Sequence, residues 1–183
     1  MAKHRAGRYV AMLRGINLGS RNRIAMADLR RLVEELGGED VHTYVQSGNV
    51  VFRSRAARAE LERALAQSIR SALGLDVTVL VRTAAQLAKI VAGNPFLASG
   101  ADPGKLHAAL LATRPALERV RRLREADFAP DELHVSGGVV YLHCPHGYGR
   151  SKLSNAFLEK QLAVTGTTRN WRTVTTLAEL AST

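Results

Sequence analysis

Two stretches of the sequence combine glycine with cationic side chains, which is the composition of a loop that binds an anion. The first occupies residues 14–23 and reads Arg-Gly-Ile-Asn-Leu-Gly-Ser-Arg-Asn-Arg. Backbone amides that glycine leaves accessible can hold phosphate oxygens when guanidinium groups lie beside them. The candidate anion-binding residues here are Arg14, Gly15, Asn17, Gly19, Arg21 and Arg23. The stretch matches neither the P-loop nor the GxGxxG fingerprint, so it predicts neither an adenosine phosphate nor NAD.

The second stretch, residues 147–152, reads Gly-Tyr-Gly-Arg-Ser-Lys and precedes a helical pattern. The unpaired amides and the dipole of a helix N-terminus favour an anion, and Arg150 and Lys152 add positive charge beside Ser151. Each stretch also has a purely structural interpretation. Glycine supplies turn geometry, asparagine bonds to the local backbone, and Ser151 caps a helix.

A predicted hairpin tip at residues 46–49 reads Gln-Ser-Gly-Asn and gathers polar groups. Glycine and asparagine tolerate the positive φ of a tight turn, so turn geometry accounts for Gly48 and Asn49. It does not require Gln46 or Ser47, which stay candidates for binding alongside Asn49.

The segment at residues 168–171, Thr-Arg-Asn-Trp, adds a further cation, Arg169, and a polar neighbour, Asn170. Trp171 is the only tryptophan of the chain. Its large ring either covers a ligand or anchors the packing of a terminal helix, and the sequence leaves both interpretations open.

No catalytic residue is predicted. Ser47 lies in a tight turn and not in a GxSxG context, and no carboxylate pair or nucleophile with a base stands out. Residues 143–146, His-Cys-Pro-His, offer two imidazoles and a thiol. A structural zinc ion takes about four ligands and no CxxC supplies the others, so we predict no metal and no other cofactor.

The charge balance favours an anionic partner. The chain has 183 residues, of which 46% are hydrophobic, so it is not disordered, and its formal net charge is +10. Residues 1–31 hold eight Lys and Arg side chains, Lys3 and Arg5 among them, against Asp28 alone. Arginine outnumbers lysine 21 to 5, which also fits a bias of genome composition. Few aromatic residues are available to stack on bases.

The compartment follows from the cysteine count and the hydropathy pattern. Cys144 is the only cysteine, so no disulfide can form within the chain, and a reducing interior fits. No run of about 18 apolar residues occurs, and the N-terminus lacks a signal-peptide pattern. We therefore expect a cytoplasmic protein without a membrane partner.

Apolar periodicity predicts the order βαββαβ in the first half of the chain. The predicted strands cover residues 9–14, 41–45, 50–52 and 77–82, and the predicted helices cover 26–36 and 58–73. A connecting helix at 84–92, capped by Thr83, and a loop at 94–104 follow.

The second half repeats the order. The predicted strands are 106–113, 132–136, 139–144 and Thr167-Thr168. One helix opens at Pro115 and faces Leu117, Val120 and Leu123 inward; another is capped by Ser151 and buries Leu153, Phe157 and Leu162; a last helix covers 173–181. The repeat predicts a first domain at 1–83, a connection at 84–104 and a second domain with a C-terminal helix at 105–183.

The expected fold class is α+β, with two ferredoxin-like (βαββαβ) α/β-plait domains in tandem and helices on one face of each antiparallel sheet. Residue parity directs Val41, Thr43, Val45, Val50 and Phe52 toward the helices. The residues expected on the open faces are His42, Tyr44, Val51 and Arg53 in the first sheet and His134, Tyr141 and His143 in the second. Open sheet faces need either a cover, such as an interdomain surface, or a ligand.

Several motifs resemble one bacterial family. Residues 9–19, Tyr-Val-Ala-Met-Leu-Arg-Gly-Ile-Asn-Leu-Gly, and residues 44–52, Tyr-Val-Gln-Ser-Gly-Asn-Val-Val-Phe, with Met26 and Leu29, are similar to the domain of unknown function 1697 family. The motifs at 94–96, 149–153 and 168–171 resemble the same family. The resemblance implies a cytoplasmic bacterial protein of two α/β-plait domains, and it implies no established activity.

Three functional hypotheses stay open. The first is a binding protein for a phosphate-bearing partner, a nucleotide or nucleic acid, although residues 50–53 do not match the RNP1 pattern of RNA-binding plaits. The second is an enzyme acting on a small phosphorylated metabolite in an interdomain cleft, with Arg14, Asn17, Arg150, Lys152 and Arg169 as anion holders. The third is a protein-interaction module.

Overall fold

The computed structural model describes residues 6–183, so Lys3 and Arg5 of the basic N-terminal stretch lie outside the described residues. Contacts between Cα atoms divide the chain into two compact units. The first unit comprises the chain up to Ala88 together with Leu177–Thr183, and the second unit comprises Lys89–Thr176. Each unit contains one four-stranded antiparallel sheet and helices, so the fold is mixed α+β.

The first sheet has the strand order β2-β3-β1-β4, and every neighbouring pair is antiparallel. Its elements and the helix that follows are β1 (Gly7–Leu13), α1 (Met26–Glu35), β2 (Glu39–Tyr44), β3 (Asn49–Ser54), α2 (Arg58–Leu73), β4 (Val79–Thr83) and α3 (Ala84–Ala92). The predicted order βαββαβ is confirmed for this half, and Thr83 caps α3 through its Oγ1, which accepts from Gln86 N.

One face of the first sheet packs against α1 and α2. Leu29 and Leu32 of α1 and Leu61, Leu65 and Ile69 of α2 recur at helical spacing and lie in one core cluster with strand side chains. The strand members include Ala11, Val50, Phe52 and Val81. The predicted parity is confirmed for Val50 and Phe52, and Val41 packs against the same cluster. It is wrong for Val45, which lies beyond the end of β2 and is half exposed.

The opposite face of the first sheet is buried at its centre. Val10, Met12, Val51 and Leu80 alternate with the helix-facing residues and are each at most 2% exposed. The expectation that this face is open is therefore wrong for Val51. It holds for His42 and Arg53, which are exposed, while Tyr44 is half-buried.

The second sheet has the strand order β6-β7-β5-β8, again with antiparallel neighbours. Its elements are α4 (Pro95–Ala98), β5 (Leu106–Leu111), α5 (Leu117–Glu125), β6 (Glu132–Ser136), β7 (Val139–His143), α6 (Asn155–Leu162), β8 (Gly166–Asn170) and α7 (Trp171–Ser182). Within residues 6–183 no helix is both long and apolar enough to cross a membrane.

Three local predictions in the second half need correction. The expected loop at 94–104 contains α4, because Asn94 caps its first turn by accepting from Phe96 N and proline follows at N1. Ser154, not Ser151, caps α6 by accepting from Phe157 N. Leu117, the first residue of α5, was expected to face inward and is 86% exposed.

The second face of the second sheet is covered from within the same unit. Trp171 and Val174 of α7 pack with Tyr141 of β7, and Phe96 of α4 joins the same cluster. The Tyr141 hydroxyl donates to the Ile90 carbonyl at 2.8 Å. Tyr141 is 2% exposed, so the expectation that it lies on an open face is wrong, whereas His134 is exposed and His143 half-buried.

Trp171→Ala tests this cover. We expect the substitution to lower the free energy of unfolding by about 3–5 kcal/mol, the usual effect of removing a large buried aromatic ring. Leu117→Ala, at an exposed helical position, is the control and should change stability by less than about 0.5 kcal/mol. Urea unfolding followed by circular dichroism measures both, and similar losses in the two variants would contradict the packing.

Candidate functional site

The structure brings two of the predicted candidate segments together in the first unit. Residues 14–23 connect β1 to α1, and residues 45–48 connect β2 to β3. Leu13 N donates to the Gly48 carbonyl at 2.9 Å, and Asn17 Nδ2 donates to the Gln46 carbonyl at 2.7 Å. We call these two segments together the loop–turn surface.

Asn17 is the residue that fixes the loop. Its Nδ2 also donates to the Ile24 carbonyl at 3.0 Å, its Oδ1 accepts from Ile24 N at 2.9 Å, and its own N donates to the Asn22 carbonyl at 3.0 Å. Its φ of 55° lies in the left-handed region, which asparagine tolerates better than most residues. The amide is therefore fully engaged in holding the loop against the turn.

Gly48 is required by close packing. At its φ of 76°, a Cβ atom would lie 2.5 Å from Ile16 Cδ1 and 2.9 Å from Leu13 Cβ. Asn49, buried at the start of β3, donates from Nδ2 to Ser47 Oγ at 2.8 Å and to the Tyr44 carbonyl at 3.2 Å. Ser47 and Asn49 therefore bond within the turn itself.

Cationic and apolar side chains form the exposed part of the loop–turn surface. Arg21 and Arg23 are exposed, and Arg23 Nε reaches the Gly19 carbonyl at 3.3 Å. Arg14 is half-buried at the base of the loop, where its N donates to the Thr78 carbonyl. Gly15 and Gly19 both adopt positive φ, in keeping with their turn geometry.

Two apolar residues of this surface are exposed although the sequence did not indicate it: Leu18 was not a candidate, and Val45 was expected to face the helices. Leu18 is 73% exposed, and Val45 is 50% exposed. Val45 has a φ of 51°, an outlier for a β-branched residue that costs on the order of 1–3 kcal/mol and persists only where the surroundings impose it. The sequence pattern placed it at the end of a predicted strand, on the helix-facing side.

Acidic groups near these segments in the sequence are engaged elsewhere. Asp28 pairs with Arg31, and Asp40 pairs with Arg8 at 2.9 Å and with His42 at 2.7 Å. The hydrogen bond from His42 lowers the pKa of Asp40. Among residues 6–183, no carboxylate forms an ion pair with Arg21 or Arg23. The loop–turn surface is therefore positively charged.

The second glycine-containing stretch lies in the second unit. Tyr148 stacks on His107 with ring centroids 4.6 Å apart and packs against the core between the sheet and helices α5 and α6. Ser151 Oγ accepts from Leu153 N at 3.0 Å, which is the bond it makes in place of the predicted helix cap. Arg150 and Lys152 are exposed beside this anchored stretch.

Arg169 does not join Arg150 and Lys152. It pairs across the sheet with Ala108, which belongs to the face that Trp171 covers, whereas Tyr148 packs on the other face. Arg169 Nη1 donates to Thr167 Oγ1 at 2.6 Å and to the Thr168 carbonyl at 3.1 Å. Burial lowers its pKa to about 10, so the side chain stays protonated at neutral pH.

The first sheet has an arginine at the equivalent position. Arg82 of β4 pairs with Val10 of β1 as Arg169 of β8 pairs with Ala108 of β5, and both arginines are buried. Arg82 Nη1 also donates to the preceding residue's carbonyl, at 2.9 Å. The repetition in both halves favours a structural role for Arg169. Its neighbour Asn170 caps α7 by accepting from Thr173 N at 2.8 Å.

The side chains of the His-Cys-Pro-His segment lie in different environments. His143 Nδ1 lies 2.9 Å from Glu132 Oε1, His146 is exposed, and Cys144 is buried. Burial raises the pKa of the Cys144 thiol. Within the described part of the chain, no three histidine, cysteine or carboxylate side chains converge as metal ligands.

His107 is a half-buried titratable group that the sequence did not reveal. Its Nδ1 is inaccessible to solvent and has no hydrogen-bond partner among residues 6–183. Burial lowers its pKa below the usual 6.5, so the ring is neutral at pH 7. Because the Nδ1 atom is buried without a partner, we expect the second unit to be sensitive to acid.

Asn17→Asp tests the hydrogen bonds by which Asn17 fixes the loop. It replaces an amide donor by an oxygen that faces two carbonyl oxygens, so we expect the free energy of unfolding to fall by about 1–3 kcal/mol. Asn22→Asp is the control, because Asn22 also has positive φ but its Nδ2 makes only a 3.4 Å contact. Equal stabilities of the two variants in urea unfolding would contradict the role of Asn17.

His107→Phe tests the acid sensitivity of the second unit. As the pH falls below 6.5, the unfolded chain takes up a proton that the folded chain resists, so His107 reduces stability progressively through this window. Between pH 7 and pH 5 we expect the Tm of the variant to fall by less than that of the wild type. The Tm of the control, His146→Gln, should fall as much as that of the wild type. A wild-type pH profile in His107→Phe would overturn this assignment.

Comparison with known proteins extends to most of the chain. The sequence matches the family described as "Protein of unknown function (DUF1697)" over residues 7–141. The structure is similar to that of the conserved bacterial protein SP0830 from Streptococcus pneumoniae, with a TM-score of 0.77 and 20% identity, over 97% of this chain and 99% of that one. At this identity the likeness concerns the fold alone. No protein of curated function matches the sequence.

The matched region includes the whole loop–turn surface, whereas the stretch at 147–152 and the segment at 168–171 lie beyond it. A match from residue 7 to residue 141 covers well over half of the 183 residues. The protein is therefore a member of the DUF1697 family of bacterial proteins of unknown function.

Proposed function

We propose that this protein binds an anionic partner through the loop–turn surface, with Arg21 and Arg23 as the contacting cations and Arg14 at the base of the loop. The observation that carries the proposal is the exposure of Arg21 and Arg23 on a fixed loop, outside any ion pair within the described residues. A guanidinium in this state offers its planar donors to a phosphate or a carboxylate.

The rigidity of the loop favours binding. Asn17 holds the loop to the turn by its hydrogen bonds, so the backbone between Gly15 and Arg23 loses little further freedom when a partner docks. A preorganised loop avoids much of the entropic cost of ordering a binding segment. Arg150 and Lys152 are proposed as a further cationic position, in the second unit.

The side chains of the loop–turn surface favour binding without catalysis. Residues 14–23 and 45–48 contain arginine, asparagine, glutamine, serine, glycine and aliphatic residues, with no carboxylate, imidazole, thiol or amine. General acid–base catalysis needs a group that exchanges a proton near neutral pH, and arginine does not. We therefore propose a binding protein. Its partner supplies either phosphate groups, as a nucleotide or nucleic acid does, or carboxylate groups.

We also propose that each unit is a ferredoxin-like α/β plait. The same element order, βαββαβ, and the same arrangement of antiparallel strands in both halves support this assignment. Domain boundaries at 1–83 and 105–183 belong to the same proposal. The single, buried Cys144 supports a cytoplasmic location for this function.

The double variant Arg21→Gln/Arg23→Gln tests the proposal, with a short fluorescein-labelled single-stranded RNA and a short oligoglutamate as anionic probes. We expect the variant to weaken binding of at least one probe by about tenfold and to lower the slope of log K against log salt for the RNA by roughly 1.4, two contacts at roughly 0.7 each. Fluorescence anisotropy at several salt concentrations measures both quantities.

The matched control is Arg63→Gln/Arg70→Gln on α2. These arginines lie in the same unit, are exposed, and Arg63 Nε contacts the Ala59 carbonyl at 3.3 Å, as Arg23 Nε contacts Gly19. The control removes the same net charge, so we expect it to weaken binding less than about twofold. The proposal would be contradicted by equal losses of affinity in the two double variants, or by a wild type that binds neither probe.

A further inference from the structure

A groove in the second unit carries charge of the opposite sign to that of the loop–turn surface. It has a volume of about 520 Å³ and lies between the end of α5 and the start of β6. Leu123, Phe128 and Leu133 supply apolar lining, while Asp127, Asp131 and Glu132 supply carboxylates. We call it the acidic groove.

The carboxylates are concentrated in this part of the chain. Residues 125–132 read Glu-Ala-Asp-Phe-Ala-Pro-Asp-Glu and hold 4 of the 16 acidic residues of the sequence, with no lysine or arginine among them. Arg124, which also lines the groove, donates to the Val135 carbonyl at 2.8 Å, so its guanidinium is engaged by the backbone. The groove therefore combines an apolar lining with three carboxylates against one guanidinium, and one of the three, Glu132, lies 2.9 Å from His143 Nδ1.

The loop–turn surface is complementary to this groove in both respects. It presents two apolar side chains, Leu18 and Val45, beside two cations, Arg21 and Arg23, and contains no acidic residue. A free phosphate or a nucleic-acid backbone makes use of the arginines but leaves the two aliphatic side chains in water. A partner with carboxylates around an apolar depression satisfies all four.

We propose that the anionic partner is a second copy of this chain, whose acidic groove receives Leu18, Val45, Arg21 and Arg23. The inference rests on the proposed function, because the same arginines make the contact, and it narrows the partner to a carboxylate-bearing protein surface. The two surfaces differ, so the contact is heterologous: each copy keeps a free loop–turn surface or a free groove, and copies associate head to tail.

The net charge of +10 sets the conditions for this association. Two copies repel each other as a whole, and this repulsion weakens at physiological ionic strength, where the Debye length is about 8 Å. Contacting pairs inside a partly desolvated groove are screened less. We therefore expect weak association that is stronger at physiological salt than at very low salt, with Kd in the range of small transient interfaces.

Two charge-reversed variants test the proposal in analytical ultracentrifugation. Arg21→Glu/Arg23→Glu removes the cations and keeps the groove, and Asp131→Lys/Glu132→Lys removes groove carboxylates and keeps the cations. We expect the average mass of the wild type to rise with concentration and each variant alone to stay monomeric. The equimolar mixture should regain the concentration-dependent rise in mass, because both contacts between the two variants pair opposite charges: the native contact and the charge-swapped one.

Leu18→Ser tests the apolar part of the contact. It should weaken association by about tenfold, as expected for one exposed leucine that becomes buried, and Leu117→Ser, on another exposed leucine in α5, should not. A wild type that stays monomeric at millimolar concentration would overturn the proposal, and so would a monomeric mixture of two folded variants. If Arg21→Gln/Arg23→Gln weakens oligoanion binding while the wild type stays monomeric, the proposed function stands and this inference falls.

Discussion

Each of the two sheets carries apolar side chains on both faces, so each must be covered on two sides. In the first sheet, Val10 and Met12 alternate with Ala11 and Leu13, and all four are buried. In the second sheet, helices α5 and α6 cover one face and Trp171 with its neighbours covers the other. This double burial leaves function to the loops and to the ends of the strands, where the exposed cations and the acidic groove lie.

The loops can bind a partner because the fold holds them in fixed positions. The side-chain amide of Asn17 uses its hydrogen bonds to join the β1–α1 loop to the β2–β3 turn. Gly48 lets the two backbones approach within hydrogen-bonding distance. Strain at Val45 is sustained by the same local structure. The polar residues with the most suggestive sequence pattern are thus structural, and the groups left for a partner are arginines and aliphatic side chains.

The strands and helices follow from periodicity because each element buries one regular stripe, as Leu61, Leu65 and Ile69 show for α2. Periodicity could not show that the second faces are buried, since Val51 and Tyr141 would read the same on an open sheet. It also misplaced Leu117 and Ser151, because the start of a helix depends on capping geometry within one or two residues.

The candidate site was predictable in part. The concentration of arginine and glycine in residues 14–23 was visible in the sequence, and so was the hairpin turn, but their contact through Asn17 spans 29 positions and required the fold. Leu18 and Val45 could not be found from residue type, because exposure of an aliphatic side chain depends on tertiary packing. His107 was hidden for the same reason, as its stacking on Tyr148 joins distant segments.

Titration of the ¹⁵N-labelled protein with the RNA and oligoglutamate probes, followed by amide chemical shifts, shows which residues meet an anion. We expect the largest shifts to cluster in residues 14–23 and 45–48, with smaller ones near Arg150 and Lys152. Shifts that spread evenly over all exposed arginines, including those of α2, or that centre on the second unit alone would contradict a built anion-binding surface.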